Sequence, residues 1–285
     1  MAAVNGHNLD ATPPKTQFAV FVKPWKNLDL PQLGLHVQQL GFNLIELPVR
    51  PGFPVEPDAI ETDLPAAVKT LSDLGVTLAN VTVDLPLTDE RLYAACAASG
   101  IKMNRVMFKR SHSSYWASEA AARRELDAAL PLCEQYGVKI GVQHHYGGSV
   151  PINSMGLYNL VKDYDPRWVG AIWDPAHNAL QGEDALTGLE LVQSHLCMVN
   201  LKNAYWRRTN PPDGSTAQWG AYFCAGPHGR TSWADVAKGV KQVGYTGPLT
   251  FSAEYTDDNY TDRLLETDLI FARKLFDGEH AGLGV

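Results

Sequence analysis

Residues 133–145 read Cys-Glu-Gln-Tyr-Gly-Val-Lys-Ile-Gly-Val-Gln-His-His. The stretch joins the end of a helical segment to a short apolar run through Gly137. Helices often end with glycine in the left-handed conformation, and the apolar residue after it folds back onto the last turn. Val138 plays that part here, and residues 139–143 then read as a strand. The same joint recurs at Leu40-Gly41-Phe42, Leu74-Gly75-Val76, Ser99-Gly100-Ile101 and Val243-Gly244-Tyr245. A repeated helix-glycine-strand unit marks a chain that alternates helices with strands.

Working outward from these joints, eight strands are expected, at residues 18–22, 43–47, 77–81, 105–108, 139–143, 169–173, 198–201 and 249–253. Most are short and nearly continuous in apolar residues, as parallel strands covered by helices are. Helices are expected between them at 30–40, 64–74, 89–98, 118–136, 153–163, 183–192, 232–243 and 261–276. Asp29 and Asp63 read as N-caps, which puts Pro31 and Pro65 in first turns, where proline is tolerated. This alternation predicts an α/β fold, a single-domain (β/α)8 TIM barrel. The rival, a doubly wound open sheet, wants a glycine-rich turn after its first strand. Here that strand runs into Lys23-Pro24-Trp25-Lys26. The barrel is expected over 17–276, between a mobile N-terminal arm (1–16) and a C-terminal tail (277–285). A lid-like insertion at 203–229 precedes its last unit.

Composition narrows the function classes. The chain has 285 residues, 45% of them hydrophobic, which is enough for a large core. Lys and Arg number 24 against 31 Asp and Glu, a net charge of -7. A general nucleic-acid or membrane-surface binder needs the opposite balance. There is no GxGxxG and no P-loop, so no nucleotide cofactor is expected. Cys96, Cys133 and Cys197 lie in apolar surroundings and read as reduced core residues, and no CxxC pair exists. No stretch approaches the roughly 20 apolar residues of a membrane span. The N-terminus carries no signal-peptide run. A cytoplasmic protein is the expectation.

Active sites of such barrels lie at the C-terminal ends of the strands. There stand Glu46 after strand two, Gln143, His144 and His145 after strand five, and Trp173, Asp174 and His177 after strand six. Asn200 and Lys202 follow on strand seven, and Glu254 on strand eight. Strand alternation puts Gln143 and His145 on one face and His144 on the other, so His144 is left out of the site. Bland readings exist for several of these. Glu46 can pair with Arg50 or Lys23, and Asp174 can cap the following helix. Trp25, Phe53, Trp116, Tyr146, Trp173, Trp206, Trp219 and Tyr222 cluster near the same rim, either as sugar platforms or as packing under the insertion.

With these residues in place, the sequence resembles the xylose isomerase-like barrel superfamily of sugar isomerases and epimerases. The similar segments are Leu-Gly-Phe-Asn-Leu-Ile-Glu-Leu (40–47), residues 136–145, Trp-Asp-Pro-Ala-His (173–177), Asn-Leu-Lys-Asn (200–203) and Ser-Ala-Glu-Tyr (252–255). Gly226-Pro227-His228-Gly229 with Trp233 is similar to the family's glycine step before the last helix. The resemblance implies a divalent metal, Mn2+ or Mg2+, at Gln143, Asp174, Asn200 and Glu254. Two of these four positions carry amides where the family has Glu and His, although amide oxygens can ligate hard cations. It implies proton transfer beside a carbonyl, with Glu254 as one base. The family's second base falls at Gln143, and an amide cannot shuttle a proton. Glu46, His145 or Lys202 would then replace it, with His177, Trp25, Trp173 and Arg207 binding substrate.

The expectation is therefore a sugar isomerase or epimerase. Two alternatives use the same barrel. One is a lyase or hydratase on an oxidised sugar or glycoside, suggested by the missing carboxylate. The other is a non-catalytic binding subunit with a degenerate metal site. The expected partner is a small-molecule sugar or glycoside, not nucleic acid or a membrane, and a homo-oligomer is admitted. The related apurinic endonucleases need more metal ligands and DNA binding, and both the ligands and the charge are missing here.

Overall fold

The glycine joints set the architecture. In the computed structural model, which describes residues 15–111 and 114–278, Gly41, Gly75, Gly100, Gly137 and Gly244 have φ of 88°, 78°, 72°, 64° and 67°. The apolar residue after each glycine donates its backbone N–H to the carbonyl five residues earlier, as in Phe42 to Val37 at 2.9 Å and Val138 to Cys133 at 3.2 Å. This closes the helix end and turns the chain into the next strand.

Eight parallel strands result: β1 (Phe18–Phe21), β2 (Leu44–Val49), β3 (Thr77–Val83), β4 (Met103–Val106), β5 (Lys139–Gln143), β6 (Val169–Trp173), β7 (Leu196–Leu201) and β8 (Leu249–Phe251). They form a closed barrel in sequential order. Closure is made by β1, which pairs with β2 at Val20 opposite Ile45 and with β8 at Phe18 opposite Leu249. The fold is the (β/α)8 barrel expected.

The helices are α1 (Leu30–Gln39), α2 (Ile60–Asp73), α3 (Glu90–Ala98), α4 (Tyr115–Tyr136), α5 (Ser154–Val161), α6 (Pro175–Leu180), α7 (Ala185–Val192), α8 (Trp233–Gln242) and α9 (Thr261–Phe276). Asp29 caps α1 in a capping box with Gln32, as expected. Asp63 caps nothing. A 3-10 turn at Pro57–Ala59 starts the helix early, so Asp63 and Pro65 lie inside α2. Helix α6 is an added short turn, capped by Asp174, ahead of the α7 expected at 183–192. Leu33 and Val37 of α1, and Leu64 and Leu71 of α2, pack onto the strands without exposure above 1%. Each such side chain contributes roughly 1.5–3 kcal/mol by leaving water. Among the described residues no helix is long and apolar enough to cross a membrane.

The segment 203–229 is an antiparallel hairpin, Asn203–Arg208 with Trp219–Cys224, followed by a 3-10 turn at Gly226–His228. Asn203 ties its base down by donating from Nδ2 to the Gly226 and Thr231 carbonyls at 2.6 and 2.8 Å. The arm and the tail expected at 1–16 and 277–285 lie almost wholly outside the described residues.

Candidate active site

Strand alternation turns a polar set into the barrel mouth. Glu46 on β2, Thr82 on β3, Arg105 on β4, Gln143 on β5 and Asn200 on β7 are all buried, with Asp174 just after β6. Buried polar groups persist only when paired, and these pair with one another. Arg105 Nε lies 2.5 Å from Glu46 Oε1 and 3.1 Å from Thr82 Oγ1, and Thr82 donates to the same carboxylate oxygen. Arg105 Nη1 donates to Gln143 Oε1 at 2.8 Å. Gln143 Nε2 and Asn200 Nδ2 donate to Asp174 Oδ2 at 2.9 and 2.7 Å. Asp174 Oδ1 accepts the backbone N–H groups of Ala176 and His177.

Above this layer lies a cavity of about 260 Å³, lined by Phe21, Lys23, Arg50, Arg105, Gln143, His145, His177, Lys202, Glu254 and neighbours. Glu254 is held between two ammonium groups: Lys23 Nζ at 2.5 Å from Oε1 and Lys202 Nζ at 3.1 Å from Oε2. Burial alone would raise its carboxyl pKa. Lys202 and Lys23, with Arg105 beyond, outweigh that and hold it well below the usual carboxylate range. The residue before it, Ala253, has φ of 52°, a left-handed conformation that L side chains rarely adopt, here next to the acid that lines the site. Lys202 Nζ also sits 4.2 Å from the centre of the Phe223 ring on the hairpin.

His145 accompanies Glu254 in the cavity. Its Nδ1 lies 2.7 Å from the Tyr146 carbonyl, which can only accept, so that nitrogen carries the proton and Nε2 keeps the lone pair. Burial lowers the His145 pKa, and burial, then Lys202, lowers that of His177 much further. Both rings are neutral at pH 7. His144 lies outside the cavity lining and is fully buried. Burial, against the pull of nearby Asp174, brings its pKa down to about 4.

These three histidines predict acid sensitivity. A histidine whose folded pKa is depressed stabilises the fold above its unfolded value and loses that contribution as pH falls through the folded one. Asp268 opposes them. Burial raises its carboxyl pKa to about 7, so its contribution grows as pH falls toward 4. For His144, whose folded value is about 4, the loss falls between about pH 6.5 and 4. Urea unfolding at pH 7 and pH 5 checks this with His144→Leu. The variant is expected to lose about 2 kcal/mol less than wild type on acidification. An identical loss in both proteins would remove His144 from the account.

The structure sorts the expected site residues. Glu254, His145, Lys202, His177 and Gln143 line one cavity, with Asp174 and Asn200 directly beneath. Glu46 sits below Arg105 at 0% exposure and pairs with it rather than with Arg50 or Lys23. Three expected substrate contacts lie elsewhere. Trp173 is fully buried, its indole donating to Ser154 Oγ at 3.1 Å. Trp25 turns outward, donating to Asp262 Oδ1 at 2.9 Å. Arg207 is exposed on the hairpin, stacked 4.1 Å over Tyr222. Arg105, Arg50 and Lys23 also line the cavity; the sequence reading did not single out Arg105 and took the other two only as partners for Glu46. A larger cavity of about 480 Å³, with Lys102, Lys139 and Cys197, opens at the N-terminal ends of the strands, the face that such barrels use for stability.

The four positions implied as metal ligands do not fit a divalent ion. A carboxylate only accepts, so both amides must turn their nitrogens, not their oxygens, toward Asp174. The Gln143 oxygen is engaged by Arg105, and both Glu254 oxygens face ammonium groups. Among the described residues no group of three or more His, Cys, Asp or Glu side chains converges as a metal site. Lys23, Arg50, Arg105 and Lys202 bring positive charge to the cavity.

Comparison with known proteins places this arrangement. No curated protein matches the sequence. Solved structures share the fold at low identity. A D-psicose 3-epimerase of Clostridium cellulolyticum H10, crystallised with D-tagatose, is 12% identical with a TM-score of 0.69, over 92% of this chain and 99% of that one. A xylose isomerase domain protein of Planctomyces limnophilus is 16% identical with a TM-score of 0.67, over 94% and 100%. A 3-keto-D-glucoside 4-epimerase of E. coli is 12% identical with a TM-score of 0.66, over 91% and 100%. The family model described as the xylose isomerase-like TIM barrel matches residues 35–275, so the chain belongs to that family.

Proposed function

We propose that this protein is a sugar isomerase or epimerase that moves a proton at a carbon beside a carbonyl and uses ammonium groups in place of a metal. The observation that carries the reading is Glu254, a carboxylate lining the cavity and clamped by Lys202 and Lys23, with the neutral His145 beside it. Enolisation needs a base for the C–H proton and positive charge for the oxygen that becomes negative. Lys202 and Lys23 can hold the carbonyl oxygen and the adjacent hydroxyl. Glu254 takes the proton, and the electron pair of the C–H bond moves onto the oxygen facing the lysines. His145 Nε2 is the second base. For an epimer, Nε2 first takes a proton from solvent and delivers it to the opposite face while Glu254 releases its proton to solvent; for an isomer, Glu254 returns its own proton to the neighbouring carbon while Nε2 carries the hydroxyl proton to the former carbonyl oxygen. The fold's likeness to sugar epimerases supports the substrate class. Four free cysteines, with thiol pKa values raised by burial to between about 11 and about 12, suit a reducing cytoplasm.

Incubation in D2O with a panel of ketoses, aldoses and sugar acids, followed by proton NMR, tests the reading. Deuterium is expected at a carbon beside the carbonyl of at least one compound. The rate is expected to be unchanged by EDTA, and elemental analysis of the purified protein to find no stoichiometric metal. No exchange in any compound would sink the reading. Exchange that EDTA abolishes would sink its metal-free form. An unsaturated product without an epimer would assign elimination to the same base.

A further inference from the structure

The cavity presents unequal charge. Lys23, Arg50, Arg105 and Lys202 line it, and among the described residues Glu254 is its one carboxylate. Other acids lie behind this surface. Glu46 is beneath Arg105, Asp174 is covered by the two amides, and Asp84 reaches Arg50 at 3.5 Å from a half-exposed position. What a ligand meets is therefore mostly donors, with Glu254 and His145 Nε2 as acceptors.

Two of these donors share a wall. Arg105 from β4 and Arg50, next to the end of β2, both lie over the Phe21 ring, at 4.3 and 5.9 Å. Arg105 is 4% exposed and uses Nε and Nη1 within the protein, while its Nη2 makes no hydrogen bond among the described residues. A buried guanidinium edge left open on a cavity, with a second guanidinium on the same ring, is a place where an anion is held by charge-assisted hydrogen bonds. Lys202 and Glu254 follow β7 and β8; β8 lies across the barrel from β4, which carries Arg105, and is separated from β2 by β1 alone.

We propose that the substrate is a sugar acid, with its carboxylate held by Arg105 and Arg50 beside Phe21 and its hydroxy-carbonyl end at Lys202 and Glu254. The second half rests on the proton-transfer reading above; the first does not. A carboxylate is favoured over a phosphate ester. In barrels of this kind phosphate is usually taken by backbone N–H groups of the loops after the seventh and eighth strands. Here the Gly226 N–H of that region is already given to the buried Asp268 carboxylate at 2.6 Å. A cavity of about 260 Å³ also limits the ligand to about the size of one sugar.

Isothermal titration calorimetry on the full chain tests this. D-glucuronate, D-galacturonate and 5-keto-D-gluconate are compared with D-glucose, D-galactose and D-fructose, and glucose 6-phosphate forms a third arm. At least one acid is expected to bind about tenfold tighter than its neutral counterpart, and Arg50→Gln to remove most of that advantage. The proposal is overturned if no acid outbinds its neutral counterpart, if Arg50→Gln keeps the preference in full, or if glucose 6-phosphate outbinds every acid. Binding and deuterium exchange fail separately. Acid preference without exchange defeats only the proton-transfer reading. Exchange of a neutral ketose without acid preference defeats only this proposal.

Discussion

Glu254→Gln is expected to lower deuterium exchange by about a thousandfold while leaving the protein folded. The amide keeps the shape of the side chain but cannot accept a proton at neutral pH. It also removes the negative charge that Lys23 and Lys202 share. Two ammonium groups then face the cavity without a counter-charge, so the affinity for an acidic ligand is expected to hold or rise while turnover collapses. That split between binding and rate separates loss of the base from general damage to the site. Circular dichroism and a thermal melt establish that the variant is folded. Exchange within about tenfold of wild type would show that another group removes the proton.

Arg105→Met is expected to cost about 3–5 kcal/mol of stability. The guanidinium is the charge partner of Glu46, which is fully buried, and it also fixes the Gln143 amide. Among the described residues Glu46 Oε2 has no hydrogen bond, so the neutral Thr82 hydroxyl on Oε1 is what remains beside the uncompensated charge. Adding Glu46→Gln should restore part of the loss, because the double variant buries no isolated charge. Urea unfolding of wild type, both single variants and the double variant gives the coupling energy. A loss below about 1 kcal/mol for Arg105→Met, with no recovery in the double variant, would mean that the pair behaves like a surface ion pair.

The barrel is legible in the sequence because its signals are local. A glycine that must be left-handed, an apolar residue folding back and a short apolar run are all read within about ten residues of chain. The site is legible only in part, for reasons of register and pairing. Starting the fourth strand at residue 105 puts Arg105 at its foot, whereas β4 starts at Met103 and carries Arg105 toward the mouth. An arginine directly ahead of the apolar run Val106-Met107-Phe108 was the signal available. Trp173 shows how much one step along a strand decides: its ring packs outward on Ser154 while Asp174, the next residue, turns in. Gln143, Asp174 and Asn200, three of the four positions that the resemblance implied, are joined by hydrogen bonds. Which atom of an amide faces its neighbour depends on residues far apart in the chain, and no motif records it. Arg105 and Asp174, 38 residues before Gln143 and 31 after it, decide that orientation.

The Lys23–Glu254–Lys202 clamp has a consequence for timing. In the resting protein the acid is quenched: its lysines make it a poor proton acceptor, and the empty site stays chemically quiet. A substrate oxygen that recruits those lysines withdraws them from Glu254, whose affinity for a proton must then rise. In the proposed reaction, arrival of the substrate and arming of the base become one event, so the same contact that recognises the molecule would also start the proton transfer.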